Sequence, residues 1–238
     1  MSYFFTLLSF VSASVFLMSG CGKEQRASPD SQGEHDKVPL GIEYPSEALA
    51  FTPKPLPRWP GLIPSPKQAP VFLVPKGTVL LSRGKKVSSS DSNPIIGSLE
   101  LITDGVRRVG EGYYVELMEG TQWVQIDLEK SAELHAIVVW HDYEGDFAYR
   151  GVAIQISDDP KFQAGVITVY NNDYDNTLKF GKGFDPPYQE SGFGLIADAK
   201  GTKGRYIRLY SSGSSVSDVN RYTEVSVFGM PQEMQAKP

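Results

Sequence analysis

Short segments in which apolar and polar residues alternate follow one another through the second half of the chain. They are residues 123–128 (WVQIDL), 152–156 (VAIQI), 206–210 (YIRLY) and 225–228 (VSVF), with a continuous apolar run at 136–140 (AIVVW). Alternation with a period of two predicts half-buried strands, and the continuous run predicts a central strand. Glycine, aspartate and asparagine separate the segments, and no long stretch has a helical period. The pattern therefore predicts an all-β fold, an antiparallel β-sandwich.

The start of the chain has a different pattern. Residues 2–20 contain no charged side chain, and this apolar stretch ends in Ser19-Gly20-Cys21. A run this short fits a secretory signal peptide better than a spanning helix. It also resembles the bacterial lipobox, in which a cysteine thiol takes the diacylglycerol. We therefore interpret residues 1–20 as a lipoprotein signal peptide and Cys21 as the lipid-anchored residue. The alternative is an uncleaved N-terminal anchor with an incidental cysteine.

An acylated Cys21 would anchor the protein to a membrane of the cell envelope. Two acyl chains already hold a protein firmly, and a third would make the anchor effectively permanent. By resemblance to enterobacterial sorting, Gly22 in place of aspartate disfavours retention at the inner membrane. The expected location is therefore the outer membrane or the cell surface, facing the periplasm or the exterior.

A tether and a proline-rich stalk are predicted for residues 21–75. Residues 22–50 are polar and have no period, which is typical of a disordered tether. Eight prolines follow within residues 53–75 and favour an extended, semi-rigid spacer. The tract also contains three apolar residues that a spacer does not need and that we expect to pack on the domain: Trp59, Leu62 and Ile63. The sandwich is then predicted to span residues 76–230, with a short tail at 231–238.

Composition limits the possible partners and chemistry. Apolar residues make up 40% of the 238 residues, which is enough for one sizeable core. The formal net charge is −5, and this gives no electrostatic basis for binding nucleic acid, which requires a concentrated basic surface. The single cysteine excludes an internal disulfide framework and a cysteine-rich zinc site.

Five motifs, taken in order, resemble a known family. They are RGKKVSSS at 83–90, LITDG at 101–105, WVQIDL at 123–128, GRYIRLY at 204–210 and EVSVFG at 224–229. Together they resemble the discoidin domain, also called the coagulation factor V/VIII type C domain, over about residues 76–230. The resemblance implies the galactose-binding-like jelly roll, an antiparallel eight-stranded β-sandwich. Because no disulfide can join the two ends, the chain is more similar to the bacterial carbohydrate-binding branch of the family.

The resemblance also implies where a ligand would bind. Sugar sites of this family lie in the loops at one end of the sandwich, where an aromatic ring stacks on the CH face and polar groups contact the hydroxyls. Loops of that composition occur at residues 141–150, 171–176 and 217–222. We therefore predict a carbohydrate-binding set of His141, Arg150, Asn220 and Tyr222, with Tyr143 or Tyr149 as the platform.

A structural calcium ion is a second expectation from the resemblance. The positions that hold Ca²⁺ in many family members correspond to Asp104 and Glu224, and Ca²⁺ prefers such hard oxygen ligands. Arg107 and Arg108 follow the turn, and their positive charges disfavour a calcium ion beside them. The run NDYDN at 172–176 also alternates oxygen-bearing side chains, but it lacks the spacing of an EF-hand loop. A solvated turn is the favoured interpretation of that run.

The chain contains no G-x-S-x-G, H-E-x-x-H, P-loop or dinucleotide fingerprint. The domain that resembles discoidin occupies nearly all of the length expected to fold, so little remains for a separate catalytic domain. We therefore expect non-catalytic binding of a cell-surface or environmental glycan. The alternative is a protein-interaction or envelope-scaffold role that uses the same loops. A hydrolase with paired carboxylates is the weakest candidate.

Overall fold

The computed structural model of the protein describes residues 36–49, 55–145 and 147–231. The predicted signal peptide, Cys21 and residues 232–238 of the predicted tail lie outside them. Within the described residues, no helix is long and apolar enough to cross a membrane. The elements, in chain order, are β1 (Lys37–Pro39), α1 (Ser46–Leu49), β2 (Leu73–Pro75), β3 (Val79–Leu80), β4 (Lys86–Ser89), a 3₁₀ helix (Leu99–Thr103), β5 (Val115–Leu117), β6 (Gln122–His141), β7 (Ala148–Tyr149), β8 (Ala153–Ser157), β9 (Ile167–Asn171), β10 (Tyr188–Gln189), β11 (Leu195–Ser211) and β12 (Asn220–Pro231).

These strands pair antiparallel around two long central strands. The main path runs β3–β12–β6–β11–β8–β9, with β4 added beside β6 and β5 added beside β12. The strands β1 and β2 form a separate pair, as do β7 and β10. The predicted alternating segments therefore fall on β6, β8, β11 and β12, at the centre of the path.

Strands β6 and β11 each contribute to both layers of the sandwich. Residues 122–127 of β6 pair with β4 and with residues 206–211 of β11. Residues 132–141 of β6 pair with β12 and with residues 195–204 of β11. Glu129, between the two parts, has a positive φ of 70°. One continuous strand therefore contains both segments that the sequence pattern predicted as separate strands.

The two layers meet in one apolar core. Alternate residues of the predicted strands fill it, among them Val124, Ile126, Leu134, Val139, Ile154, Ile207, Leu209, Val225 and Val227. Full burial of a side chain of this size stabilises the fold by about 1.5–3 kcal/mol. The predicted all-β, antiparallel β-sandwich is confirmed.

The pairing also brings several loops to one end of the sandwich. Ala153, the first residue of β8, lies opposite Tyr210 near the end of β11 and opposite Asn171 at the end of β9. The start of β8 and the ends of β9 and β11 therefore lie side by side. Residues 150–152, 172–187 and 212–219 leave the sheet from this edge.

The predicted boundary at residue 76 is wrong, because the chain from Asp36 onward belongs to the folded unit. Strand β1 pairs with β2 through Val38 opposite Val74. Val74 is only 2% exposed and packs in a second apolar cluster with Trp140 and Phe228. Extended proline-rich backbone can pair at a sheet edge, and its interspersed apolar residues cover the outer face of β6 and β12.

The proline-rich segment is joined to the sandwich a second time, at Ile63. Its N–H donates to the carbonyl of Pro187 at 2.9 Å, and its carbonyl accepts from the N–H of Gln189 at 2.9 Å. The N–H of Ser65 also donates to Oε1 of Gln189 at 3.3 Å. This segment therefore docks on the domain through its backbone. Of the three side chains predicted to pack there, Trp59 and Leu62 are half-buried, whereas Ile63 is 50% exposed.

Candidate functional site

A polar cleft of about 120 Å³ opens where the end loops meet. Its lining residues come from three separate segments: Arg150, Gly151, Asp173, Tyr174, Asp175, Thr177 and Ser212. Gly151 has a positive φ of 71°, and a β-carbon there would contact Cβ of Ser212 at 3.4 Å. The cleft is therefore open in part because no side chain projects from residue 151.

The loop that carries Tyr174 is held by its own Asn and Asp side chains. Asp173 accepts hydrogen bonds from the N–H groups of Thr177 at 3.0 Å and Leu178 at 2.6 Å. Asn172 accepts from the N–H of Val152 at 2.7 Å, which ties the loop to β8. These side-chain-to-backbone bonds are the usual reason for Asn and Asp in tight turns. They hold the Tyr174 ring outward, 49% exposed.

The contacts of residues 172–176 are those of a turn held by its own side chains. The carboxylate oxygens of Asp173 accept hydrogen bonds from backbone donors within the loop, and Asn172 and Asp173 are buried rather than solvated. A turn stays the favoured interpretation of this run, over the alternative of a calcium loop.

Arg150 is exposed and contacts two aromatic rings. Its Nη1 donates to the Tyr174 hydroxyl at 2.8 Å. Its guanidinium carbon lies 4.8 Å from the ring centroid of Trp59 and 5.7 Å from that of Tyr174. Both distances are within the range of a cation–π interaction. The contacts fix the plane of the guanidinium beside the cleft.

Two carboxyl groups of the cleft differ in their surroundings. Burial raises the pKa of Asp173. A hydrogen bond from the Thr177 hydroxyl, 2.7 Å long, lowers the pKa of Asp175. Asp175 therefore remains a charged, exposed acceptor at neutral pH, and it faces the same cleft as the Arg150 donor.

This arrangement can bind a polyhydroxylated ring. An exposed aromatic ring offers a face for the apolar CH groups of a sugar. A planar donor group and a carboxylate at its edge can bond to vicinal hydroxyls. Of the six predicted sugar-contacting residues, Arg150 is the one that the structure places in the cleft.

The aromatic residues predicted to contact sugar lie inside the sandwich. His141 and Tyr222 are fully buried, and Tyr149 is nearly so. The His141 ring stacks on Tyr149 at 4.3 Å and lies 4.7 Å from Tyr222. The prediction that these three side chains contact a ligand is wrong, because a buried ring cannot stack on a sugar unless the core opens.

A buried acid–base pair explains part of this cluster. The Nδ1 atom of His141 lies 3.2 Å from Oε2 of Glu190 and 2.9 Å from the Tyr188 hydroxyl. Burial raises the pKa of the Glu190 carboxyl. The pair gives Nδ1 of the imidazole polar partners inside the core, as buried polar groups require, whereas the buried Nε2 has no hydrogen-bond partner among the described residues.

Asn220 is buried and its hydrogen-bonding groups are occupied. Its Oδ1 accepts from the Ser211 hydroxyl at 2.7 Å and from the Gly213 N–H at 2.9 Å. Its Nδ2 donates to the carbonyls of Met118 at 2.8 Å and Gly120 at 2.9 Å. Asn220 was predicted to contact a ligand. The structure corrects this prediction, because the polar atoms of its side chain are all bonded to three loop segments of the protein.

Tyr143 is buried too, in the second apolar cluster with Trp140 and Phe228. Its hydroxyl donates to the carbonyl of Arg107 at 2.5 Å. It is therefore not the predicted platform, since its ring is directed into the protein.

The carboxylates of the two residues predicted to hold calcium accept hydrogen bonds from the protein itself. The buried Glu224 accepts from the Gly105 N–H at 2.9 Å and from the Ser226 hydroxyl at 3.1 Å. Asp104 accepts from the N–H of Val106 at 2.7 Å. Among the described residues, no group of three or more His, Cys, Asp or Glu side chains could hold a metal ion. The carboxylates are thus directed at protein donors.

The guanidinium group of Arg107 lies beside Glu224, where the calcium ion was expected. The side chain of Arg107 is largely buried, and its Nη2 lies 3.9 Å from Oε1 of Glu224 and donates to the Ser226 hydroxyl at 2.9 Å. Its guanidinium carbon is 4.8 Å from the Trp140 ring centroid. Burial lowers the pKa of Arg107, and burial raises the pKa of Glu224 to about 7.

Several solved structures are similar to this chain, and three represent them. The chitosan-binding module 1 of a chitosanase/glucanase from Paenibacillus sp. IK-5 is 17% identical with a TM-score of 0.46, over 63% of this chain and 99% of the module. The fucose-binding module SpX-3 of Streptococcus pneumoniae is 17% identical with a TM-score of 0.46, over 64% and 99%. The CBM32 of AlyQ, in complex with 4,5-unsaturated mannuronic acid, is 23% identical with a TM-score of 0.43, over 60% and 93%. No protein-family model and no curated protein matches the chain.

Sequence reasoning named the loop of the cleft but not its exposed residues. Residues 171–176 were recognised by composition, whereas Tyr174, Asp175 and Thr177 were not selected. In the run NDYDN, alternation places some side chains inward to hold the turn and leaves Tyr174 outward. Trp59 could not be placed, because its contact with Arg150 spans about ninety residues of sequence.

Proposed function

We propose that this domain binds carbohydrate without catalysis, at the cleft between Arg150 and Tyr174. The observation that supports the proposal is the exposed Tyr174 ring, with a fixed guanidinium and the Asp175 carboxylate beside it. An aromatic face with convergent planar polar groups is the chemistry that sugar recognition requires. The similar solved modules named above for chitosan, fucose and mannuronic acid agree with this choice of ligand class.

The expected affinity for one short sugar is weak. The cleft is about 120 Å³, well below the roughly 300–1,000 Å³ of sites that enclose a ligand. Much of a bound sugar would therefore stay in contact with water. Many copies on one surface would raise the overall affinity by avidity.

We also propose that the domain is displayed on the cell envelope through a lipid on Cys21. The support is the sequence: the chain has a single cysteine, and it directly follows Ser19 and Gly20 at the end of an apolar stretch. Labelled palmitate should be incorporated into the wild-type protein and not into Cys21→Ser. Equal labelling of the variant would contradict the anchor.

A protein-interaction or scaffold role is the second candidate. Several apolar side chains on the segment before the sandwich are exposed, among them Ile63, Val71 and Leu73. They lie apart from the lining of the polar cleft. A partner protein would therefore be expected to bind this apolar segment, and its binding would not depend on Tyr174.

The decisive experiment is glycan binding by matched variants of the full chain. We expect wild-type protein to bind one or more polysaccharides on an array, and Tyr174→Ala to lose that binding. Phe184→Ala is the control, because Phe184 is 89% exposed and lies on the same loop but not in the cleft. Equal binding by Tyr174→Ala, or no binding to diverse polysaccharides by folded wild-type protein, would overturn the proposal.

A further inference from the structure

The proline-rich segment has a defined shape near Trp59. The backbone N–H of Trp59 donates to the carbonyl of Pro57 at 3.1 Å, and the backbone carbonyl of Trp59 accepts from the N–H of Leu62 at 3.3 Å. Gly61 has a positive φ of 72°, which permits the tight turn. Proline fixes the backbone on both sides of Trp59, at positions 57 and 60. The ring is therefore presented by a turn with little conformational freedom.

This turn is held close to the loop that carries Tyr174. Four residues after Trp59, Ile63 exchanges backbone hydrogen bonds with Pro187 and Gln189. Pro187 is the last residue of the loop 172–187, which begins beside Tyr174. The docking of one short segment thus positions Trp59 beside the loop that carries Tyr174.

Arg150 joins the two rings. Its guanidinium carbon lies 4.8 Å from the Trp59 centroid and 5.7 Å from the Tyr174 centroid. Trp59 is only partly buried and is absent from the apolar clusters of the domain. Packing in the core therefore does not explain why a tryptophan stands at this position. A contact with Arg150 at the edge of the cleft does explain it.

We propose that Trp59 is a second aromatic wall of the carbohydrate site, supplied by the segment that precedes the sandwich. The proposal rests on the function proposed above. Trp59 lies outside the residues that line the cleft and reaches it through Arg150. It would fix the guanidinium of Arg150 and extend the site with a second ring, so that a sugar is contacted from two sides. Because the turn is rigid before binding, little ordering entropy is lost when the ligand binds.

The test compares three variants of the full chain by titration with the best-binding oligosaccharide from the array. Trp59→Ala should weaken binding by roughly tenfold, or about 1.4 kcal/mol, because it removes a cation–π and stacking contact at a partly exposed site. Trp59→Phe should recover part of the loss. Leu56→Ala is the control, because Leu56 is exposed on the same segment and has no ring to stack on a guanidinium or a sugar. All variants should have melting temperatures close to that of the wild type.

Tryptophan fluorescence gives an independent readout. The other two tryptophans are Trp123 and Trp140, and Trp140 is fully buried. A bound sugar should change the emission of wild-type protein, and Trp59→Phe should abolish most of that change.

The outcomes separate this proposal from the one on which it rests. If wild-type protein binds sugar, Tyr174→Ala does not and Trp59→Ala binds like wild type, the role of Trp59 is overturned while the carbohydrate site stands. If Leu56→Ala loses as much affinity as Trp59→Ala, the segment acts through its docking, and the second wall is likewise rejected. If wild-type protein binds no sugar, both proposals fail.

Discussion

Nη2 of Arg107 lies 3.9 Å from Oε1 of Glu224, and both side chains are almost entirely withdrawn from solvent. The same guanidinium donates to the Ser226 hydroxyl and to the backbone carbonyl of Glu43 at 3.3 Å. A cation of the chain itself therefore neutralises the carboxylate that was expected to bind calcium. It also connects the segment before the sandwich to β12.

The stability of the protein should accordingly be independent of calcium. We expect the melting temperature to stay unchanged when calcium chloride or EDTA is added. At pH 8, where Glu224 is ionised, Arg107→Met should lower the free energy of unfolding by about 3 kcal/mol, because it leaves the Glu224 carboxylate buried without its cation. Differential scanning fluorimetry measures both effects. A rise in the wild-type melting temperature with calcium, reversed by EDTA, would contradict this assignment.

Glu224 should make stability depend on pH. Burial raises its pKa to about 7, so between pH 4.5 and 7 the folded state binds a proton that the unfolded state does not. This group therefore stabilises the fold more as pH falls. The free energy of unfolding of wild type minus that of Glu224→Gln should increase by up to about 3 kcal/mol from pH 8 to pH 5. A difference that is constant over that range in denaturant titrations would refute the raised pKa.

Asn220 should prove to be a structural residue. Asn220→Ala would remove, in a buried place, the acceptor for the Ser211 hydroxyl and the Gly213 N–H and the donor to two backbone carbonyls. We expect a loss of about 2–4 kcal/mol in the free energy of unfolding. Asn93→Ala, on an exposed turn, should change it by less than about 0.5 kcal/mol. Equal stability of the two variants would restore Asn220 as a candidate ligand contact.

The segment before the sandwich should contribute to stability. Val74→Ala should lower the free energy of unfolding by about 1–2 kcal/mol, since it removes buried methyl groups beside Trp140 and Phe228. Val71 is 77% exposed on the same segment, so Val71→Ala is the matched control and should have almost no effect. If Val74→Ala were equally silent in chemical denaturation, residues 36–75 would act as the spacer that their composition indicates.

The strands could be predicted because alternation is a local property of the sequence. The side of the sheet to which a residue at a strand end points could not always be predicted. His141 was expected in a loop, whereas it extends β6 and points to the same side as Val139, two residues earlier. Recognition of that longer strand would have placed His141 in the core. Tyr222 differs, because the pairing of β12 shifts between Tyr222 and Glu224. A shift of one residue reverses the side to which a side chain points, and no sequence period reveals it.

The contacts of the proline-rich segment could not be predicted from its own sequence, for a different reason. Its prolines favour an extended backbone both in a free spacer and in a strand paired at an edge. What distinguishes the two is a partner, and that partner is distant in sequence: Pro187 and Gln189 for Ile63. The role proposed for Trp59 depends on the same kind of distant contact, with Arg150.

Strand β11 runs for 17 residues and ends at Ser211, directly before Ser212 in the wall of the cleft. A pull on a ligand held there would pass along one backbone that is bonded to β6 in both layers. The hydrogen bonds of that ladder would be loaded in shear, many at once, rather than opened one after another from a free edge. If the cleft binds a ligand as proposed, central strands that cross both layers would let the domain hold that ligand under tension.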